Sequence, residues 1–509
     1  MIERGLARVA PEWGLRRLAA KVALEQSMMA VRRFDAARHD RRTDSWRATG
    51  GSANAELAPA LSLMIRRSRD HCRNNEWSVN AKRQCVAHQI GTGIAPRPKA
   101  GTPKQAKMVA MDAWNAFADN CDPEGLTDYY GIQARLAAEV FEGGAAFLRW
   151  YMRPSSFGLK VPLQCEVLEH DFLNTRRTEV RGGNVVIHGV EYDAYGRRVA
   201  YWLFPVHPGE LNTIMRRGSN FVSQRVPADE CDHVFRVDRA GQVTGVPWLA
   251  PTMLRLRDSA DYEEAELIRK KIEACLTIFV KRTGTGPTGL AQSVDQSTDP
   301  KNPNRRLEKI APGLIAYLQD GEEIQAATPS ASEGYADHMD QQLYAFAAGV
   351  GLPFSQASGK LTKANYSSMR EGRLSFWAVL DQWQWFMLIP QACRPAWRRV
   401  MRIASARGLQ VASDLSADWT PPKRPWVDPV KDVQAEKEEF ALGLDSWAEK
   451  VAARGHDPEQ LIEDILAWKE RLEKAGLAPA QAPGVAGPSK PKPDPEEEDD
   501  DDDDEDAND

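Results

Sequence analysis

The sequence predicts an α+β chain whose helices and strands fall in separate blocks along its length. Three observations predict it. Residues 61–90, 103–120 and 127–142 carry apolar side chains at helical spacing. Residues 145–204 carry short strand-like runs divided by turn residues. Residues 249–276 then read as one long helix. Blocks of helix followed by blocks of strand mark α+β architecture.

The chain has 509 residues, 42% hydrophobic and 27% charged, the balance of a globular protein with room for several domains. No stretch approaches the ~18 apolar residues that span a bilayer, so no membrane partner is expected. Met1 to Ala30 is Arg-rich and broken by charges, unlike a secretory leader. The seven cysteines are widely spaced, odd in number and without a CxxC pair, which fits reduced thiols in a cytoplasm. Net charge is −6, but residues 494–509 hold thirteen acids and no bases. Without them the body stands at +7, which permits contact with a polyanion and does not establish it.

The elements follow in order. Residues 1–60 are polar and Arg-rich and read as an arm. Within 61–245, helical patterns give way to strand-like Ala145–Tyr151, Leu163–Leu168, Val185–Tyr192 and Val199–Phe204. Arg181-Gly182-Gly183-Asn184 and Asp193-Ala194-Tyr195-Gly196 are the turns between them. In 249–276, Leu249, Met253, Leu256 and Ala260 form an apolar stripe. Ala265, Ile268, Ile272 and Leu276 continue it after a phase shift, and every other face is charged. Two packings suit it: one amphipathic helix on a core, or a helix against copies of itself in a ring.

Strand-like Thr277–Val280 leads into a polar loop at 283–304. A second pair, Gly313–Leu318 and Glu323–Gln325, is joined across Asp320-Gly321. Residues 335–405 are helical, broken at 349–353 and 358–366, with Phe376, Leu380, Trp383 and Met387 on one face. A Pro-rich connection and further helices fill 419–475. The Ala/Pro/Gly-rich and then acidic stretch 476–509 is predicted to be disordered.

An enzyme needs its groups, and the motifs are missing. There is no HExxH, GxxxxGK[ST], GxSxG or strand-linked GxGxxG. Gly91-Thr92-Gly93 is too short to cradle a phosphate and reads as a helix-ending turn. Cys85 and His88 lie one helical turn apart, with His71 beside Cys72, but a closed zinc site needs four ligands. Cys231 and His233 lie two apart on a strand-like run and share one face, which reads as packing. The carboxylates of 258–266 alternate with Arg and Lys, as on a solvated ion-paired face. Trp377, Trp383 and Trp385 read as core or subunit packing. The expectation is therefore no catalytic residue, no cofactor and no metal.

Local phrases then become specific. Phe34-Asp35-Ala36-Ala37 is followed by Arg67-Ser68-Arg69-Asp70 with Gly91-Thr92-Gly93-Ile94, and by Gly189-Val190-Glu191-Tyr192-Asp193 with Ala200-Tyr201-Trp202. Next come Arg225-Val226-Pro227-Ala228 with His233-Val234-Phe235, and Pro312-Gly313 with Gly321-Glu322. Gly349-Val350-Gly351-Leu352-Pro353 with Asn365-Tyr366-Ser367-Ser368-Met369-Arg370 and Gly443-Leu444-Asp445-Ser446 complete the series. In this order, over about residues 30–455, the chain resembles the lambda family of phage portal proteins. It departs from that pattern in having Lys360 where an acid is expected after Ser358-Gly359, in lacking an Arg near Thr244, and in its acidic tail.

The resemblance implies a portal-type subunit. Its parts would be an N-terminal arm (1–60), a mixed α/β wing (61–245), a first stem helix (246–276), a small β-containing clip (277–330), a second stem helix with tunnel loop (331–368), a long helix and crown (369–475), and the acidic tail (476–509). It implies a homo-oligomeric ring of about twelve copies at one vertex of a virion head, assembled in the host cytoplasm. Double-stranded DNA would pass through it non-specifically. Terminase, capsid or scaffold proteins, and head-completion or tail adaptor proteins would dock on it. A conduit needs weak, phosphate-directed contacts without base readout. The candidate channel bases are Lys360 and Lys363 in the tunnel loop, and Lys281 and Arg282 where the clip begins. The tail has three readings: solubility and repulsion of DNA, a docking segment for a basic partner, or weak calcium binding. The competing functions are a cytoplasmic ring scaffold without DNA passage and a nucleic-acid enzyme of unfamiliar type.

Overall fold

The computed structural model describes residues 49–99, 101–210, 222–274, 278–282, 297–298, 306–307, 322–326, 334–361, 366–422, 424, 429–444, 446–453 and 458–475, with Ala20, Lys21 and Arg41. The arm before residue 49, the loop at 283–304 except its short strands, the strand expected at Gly313–Leu318 with its turn, Lys363 and the tail lie outside them. Two compact units emerge. One is made of residues 1–61 with 238–243, the other of 62–237 with 244–509.

In the small unit, helix α1 (Ala53–Leu57) is capped by Ser52, whose side chain accepts the Ala55 N–H. Asn54 holds the returning segment with both ends of its amide: Nδ2 donates to the Gly241 carbonyl and Oδ1 accepts the Val243 N–H, each at 2.9 Å.

In the large unit, the helical pattern expected over 61–90 is two helices, α2 (Leu61–Asn74) and α3 (Glu76–Ile90). Asn75 divides them. Its backbone is extended, and its side chain accepts the Ser78 N–H as an N-cap. Strand β1 (Ala95–Pro98) precedes α4 (Lys104–Ala118) and α5 (Tyr129–Gly143), the latter capped by Asp128. Gly144 closes α5 at φ 84°, and a Cβ there would sit 2.5 Å from the Val246 carbonyl carbon. Only glycine fits that crossing.

Strands β2 (Ala145–Met152) and β3 (Leu163–Glu169) appear where the strand-like runs predict them. The run Val185–Tyr192 does not form one strand. After β4 (Glu179–Arg181) it folds as β5 (Asn184–Ile187) and β6 (Val190–Tyr192) about His188 and Gly189, both at positive φ. Strands β7 (Arg198–Leu203) and β8 (Gln224–Pro227) complete an antiparallel five-stranded meander, β4-β5-β6-β7-β8. Strand β9 (Cys231–Phe235) joins the other side of β2, giving a three-stranded sheet β3-β2-β9.

The long helix α6 runs Met253–Ala274, shorter than its pattern at the N-terminal end, where 249–252 form turns. Strand β10 (Ile278–Arg282), the two-residue strands β11 (Ser297–Thr298) and β12 (Arg306–Leu307), and β13 (Glu322–Ala326) follow; β10 pairs with β13. Helix α7 (Tyr335–Val350) ends at Gly351, as the Gly/Pro break predicts, and α8 (Phe354–Ser358) ends at Gly359. Helix α9 (Tyr366–Trp383) runs into a π-helical segment at Gln384–Cys393 that contains Pro390, then into α10 (Arg394–Ala406). Proline cannot donate in the α ladder, and the wider turn accommodates it. Strand β14 (Ala417–Thr420) pairs antiparallel with β1, and α11 (Pro429–Ala441), α12 (Trp447–Ala453) and α13 (Pro458–Lys474) end the described chain.

The core is aromatic at its centre. The Trp114 ring lies 5.2 Å from Tyr129, 5.5 Å from Phe117 and Trp397, and 6.2 Å from Trp419. Phe376, Leu380, Trp383 and Met387 are all buried, so the stripe read from the sequence faces inward. Trp383 packs on Trp248 at 4.2 Å, whereas Trp385 is exposed.

Candidate DNA-channel interface

Helix α6 is anchored at one end and bare at the other. Thr252, Met253 and Leu256 are buried. A Cβ on Gly349 of α7 would lie 2.4 Å from the Thr252 methyl, so α7 meets the turn that leads into α6 at a glycine. Arg255 donates to the Gln342 side chain at 2.6 Å, and Tyr262 stacks on Tyr335 at 5.8 Å. Beyond this the helix loses its cover. Leu267 is 55% exposed and Ile268 49%. The first apolar stripe packs within the subunit, while Ala265 and Ile268 of the second face solvent. Glu266 and Arg269 pair along the helix at 2.5 Å.

The four candidate bases are not equally placed. Lys360 follows α8, and its ammonium pairs with Asp340 of α7, so its charge is matched inside the subunit. Its backbone N–H donates to the Ser358 hydroxyl at 3.1 Å. Lys363 lies outside the described residues. Lys281 and Arg282 end β10, in register with Glu323 and Glu322 of β13.

The residues weighed for chemistry turn out to be packed. Cys85 is buried, which pushes its thiol up, and burial lowers His88. Cys231 and His233 share the inward side of β9, while Asp232 is held by Arg399 at 2.7 and 3.0 Å and by the Trp150 indole N–H at 2.7 Å. Glu169, Asp171 and His207 bring three ligand-type atoms within 4.8 Å of one another. The cation there is Arg69, whose guanidinium lies 2.6 Å from Glu169, 2.7 Å from Asp171 and 2.9 Å from Glu139.

Sequence reasoning missed a buried polar chain. His170 Nδ1 lies 2.6 Å from the Gly143 carbonyl, so it donates there and leaves Nε2 to accept from Thr244, at 2.8 Å. Thr244 Oγ1 then accepts from His233 Nε2 at 3.1 Å, and His233 Nδ1 accepts from Arg198 at 2.9 Å. Each donor has one acceptor only if both imidazoles are neutral. Burial lowers both, His233 well below the ordinary value. Single histidines spaced 63 positions apart carry no sequence signal of this contact.

The described residues thus show a packed body, a helix with exposed apolar side chains at its far end, and titratable groups used for packing. The chain belongs to the lambda family of phage portal proteins, whose family model matches residues 39–384. It is 24% identical over 472 residues to the probable portal protein of Halomonas phage phiHAP-1, covering 88% of each chain. It is 25% identical over 480 residues to portal protein B of Escherichia phage lambda, covering 86% of this chain and 88% of that one. Among solved structures, a chain from the virion of a native gene transfer agent particle aligns with TM-score 0.45 and 13% identity, over 81% of this chain and 96% of that chain. Membership makes the protein a structural head–tail connector component of a virion and not an enzyme. No described helix is long and apolar enough to cross a membrane.

Proposed function

We propose that this chain is the subunit of a closed ring of about twelve copies at the portal vertex, through which double-stranded DNA enters the head and leaves it. The observation that carries the ring is the bare distal half of α6. An amphipathic helix that leaves Ala265, Leu267 and Ile268 exposed gains most by packing on a neighbouring copy. In this reading 61–245 is the wing, 246–276 and 331–368 supply the stem helices and tunnel loop, 277–330 is the clip and 369–475 the long helix and crown. Terminase docks on the ring during packaging, capsid or scaffold proteins hold it at the vertex, and head-completion or tail adaptors follow. The DNA contacts are few and directed at phosphate, with Lys360, Lys363, Lys281 and Arg282 as the candidate bases.

Negative-stain electron microscopy with light-scattering mass tests the ring. A mass near twelve subunits and an axial hole wide enough for a duplex are expected. A small oligomer without a hole, unchanged by concentration or salt, favours the scaffold or enzyme alternatives. For the channel, Lys360→Glu with Lys363→Glu is expected to keep the ring and lower packaging or DNA retention. A normal packaged genome length in that variant removes the role of these lysines.

A further inference from the structure

Beside the three-stranded sheet, β2 and α10 enclose a half-open groove of about 610 Å³. Its lining includes Trp150 and Tyr151, the carboxylates Asp229 and Glu230, and five arginines: Arg149, Arg153, Arg398, Arg399 and Arg402. Two of these are already matched, Arg399 by Asp232 and Arg149 by Glu230 at 2.8 Å. The other three have no carboxylate partner among the described residues. Arg153 donates to the neutral Gln164 and lies over the Tyr151 ring at 5.1 Å. Arg398 and Arg402 are exposed and one helical turn apart on α10, where like charges repel. Arg394 extends the same row by another turn. A helix that holds such a row beside a groove lined in part by aromatic rings is suited to a carboxylate-rich ligand, since guanidinium forks bind carboxylates in pairs.

The chain carries that ligand itself. We infer that the acidic run 494–509 docks in this groove, with Arg398, Arg402 and Arg153 as its principal contacts. Thirteen acids without a base are the charge complement of the row, and the +7 body is otherwise not strongly basic. The reach is adequate. Glu463 of α13 pairs with Lys104 at the start of α4, and α10 packs along α4. The length of α4, one helix spacing and the rest of α13 sum to ~50 Å at most. Residues 475–494 extended reach ~60 Å. Occupation would hide a cationic surface from other polyanions, DNA included, until an acidic partner or salt displaces the tail. The proposal does not depend on the ring reading.

The test uses a fluorescent peptide of residues 494–509 and fluorescence anisotropy. The receptor is the full chain with its thirteen tail acids replaced by Asn or Gln, at ~50 mM and ~500 mM salt. The peptide is expected to bind this chain at low salt, at least tenfold more weakly to the unaltered chain, and not at all to the tail-neutralised chain carrying Arg398→Glu and Arg402→Glu. Arg398→Gln with Arg402→Gln, checked by circular dichroism, serves if charge reversal disturbs folding. Equal peptide affinity with and without the two arginines overturns the inference. So does equal affinity for the unaltered and tail-neutralised chains. Tight binding of a short DNA duplex at the two arginines that the peptide does not displace reassigns the groove to nucleic acid.

Discussion

Ile268→Asp on α6 separates packing within a subunit from packing between subunits. Ile268 is 49% exposed in the single chain, so the change gives up about half of the side chain's burial within the subunit and should cost its stability about 1 kcal/mol. In a ring the remaining half would be covered by a neighbour. Burying a whole isoleucine side chain is worth about 1.5–3 kcal/mol, so the uncovered half carries about 1 kcal/mol at each contact. Desolvating the introduced carboxylate adds several kcal/mol against the interface. A closed ring repeats the loss at every contact, so assembly should fail at concentrations where the unaltered chain is fully assembled. Sedimentation velocity reads the species, and thermal circular dichroism checks the fold. If Ile268→Asp assembles with the same concentration dependence as the unaltered chain, α6 does not pack on its neighbours through this face and the ring reading loses its main support.

Other outcomes follow from the body of the subunit. Arg399→Ala strands the buried Asp232 carboxylate and should cost about 3–5 kcal/mol, seen as an early urea transition; an unchanged midpoint would show the pair to be dispensable. His170 and His233 are held neutral when folded, so the unfolded chain binds protons first as pH falls below ~6.5. Stability is therefore full above that pH and declines below it, and His233→Phe should remove part of that slope in pH-dependent melts. Gly144→Ala places a methyl against the Val246 backbone at positive φ and should lower the melting temperature by several degrees; an unaltered melt refutes the close approach. The buried Cys72 thiol, pushed up to about 12, and its buried counterparts Cys85, Cys121, Cys165, Cys231 and Cys393 should resist a thiol reagent until the chain is denatured.

Local periodicity was legible wherever one face of an element packs inside the subunit. The row Phe376, Leu380, Trp383 and Met387 and the strands from Ala145 and Leu163 belong to this class. The strand-like run Val185–Tyr192 misled, because its β-prone residues continue on both sides of His188 and Gly189, where the backbone reverses. It was silent at the π-helical segment, whose Gln391 accepts the Phe235 N–H at the edge of β9, a contact between residues 156 positions apart. For the candidate channel, the sequence offered charges without their partners. Only the fold brings Asp340 to Lys360.

The pairing of β1 with β14 has a consequence for synthesis. Pro96 stands opposite Trp419, and Trp419 completes the cluster around Trp114, so strands more than 300 residues apart close one aromatic core. A ribosome adding ~5–20 residues per second needs roughly 15–65 s to travel from the first partner to the second. During that interval Trp114, Phe117 and Tyr129 lack their last cover. The nascent chain is thereby exposed to aggregation and chaperone capture for tens of seconds, and a truncation before residue 417 would prolong that state indefinitely.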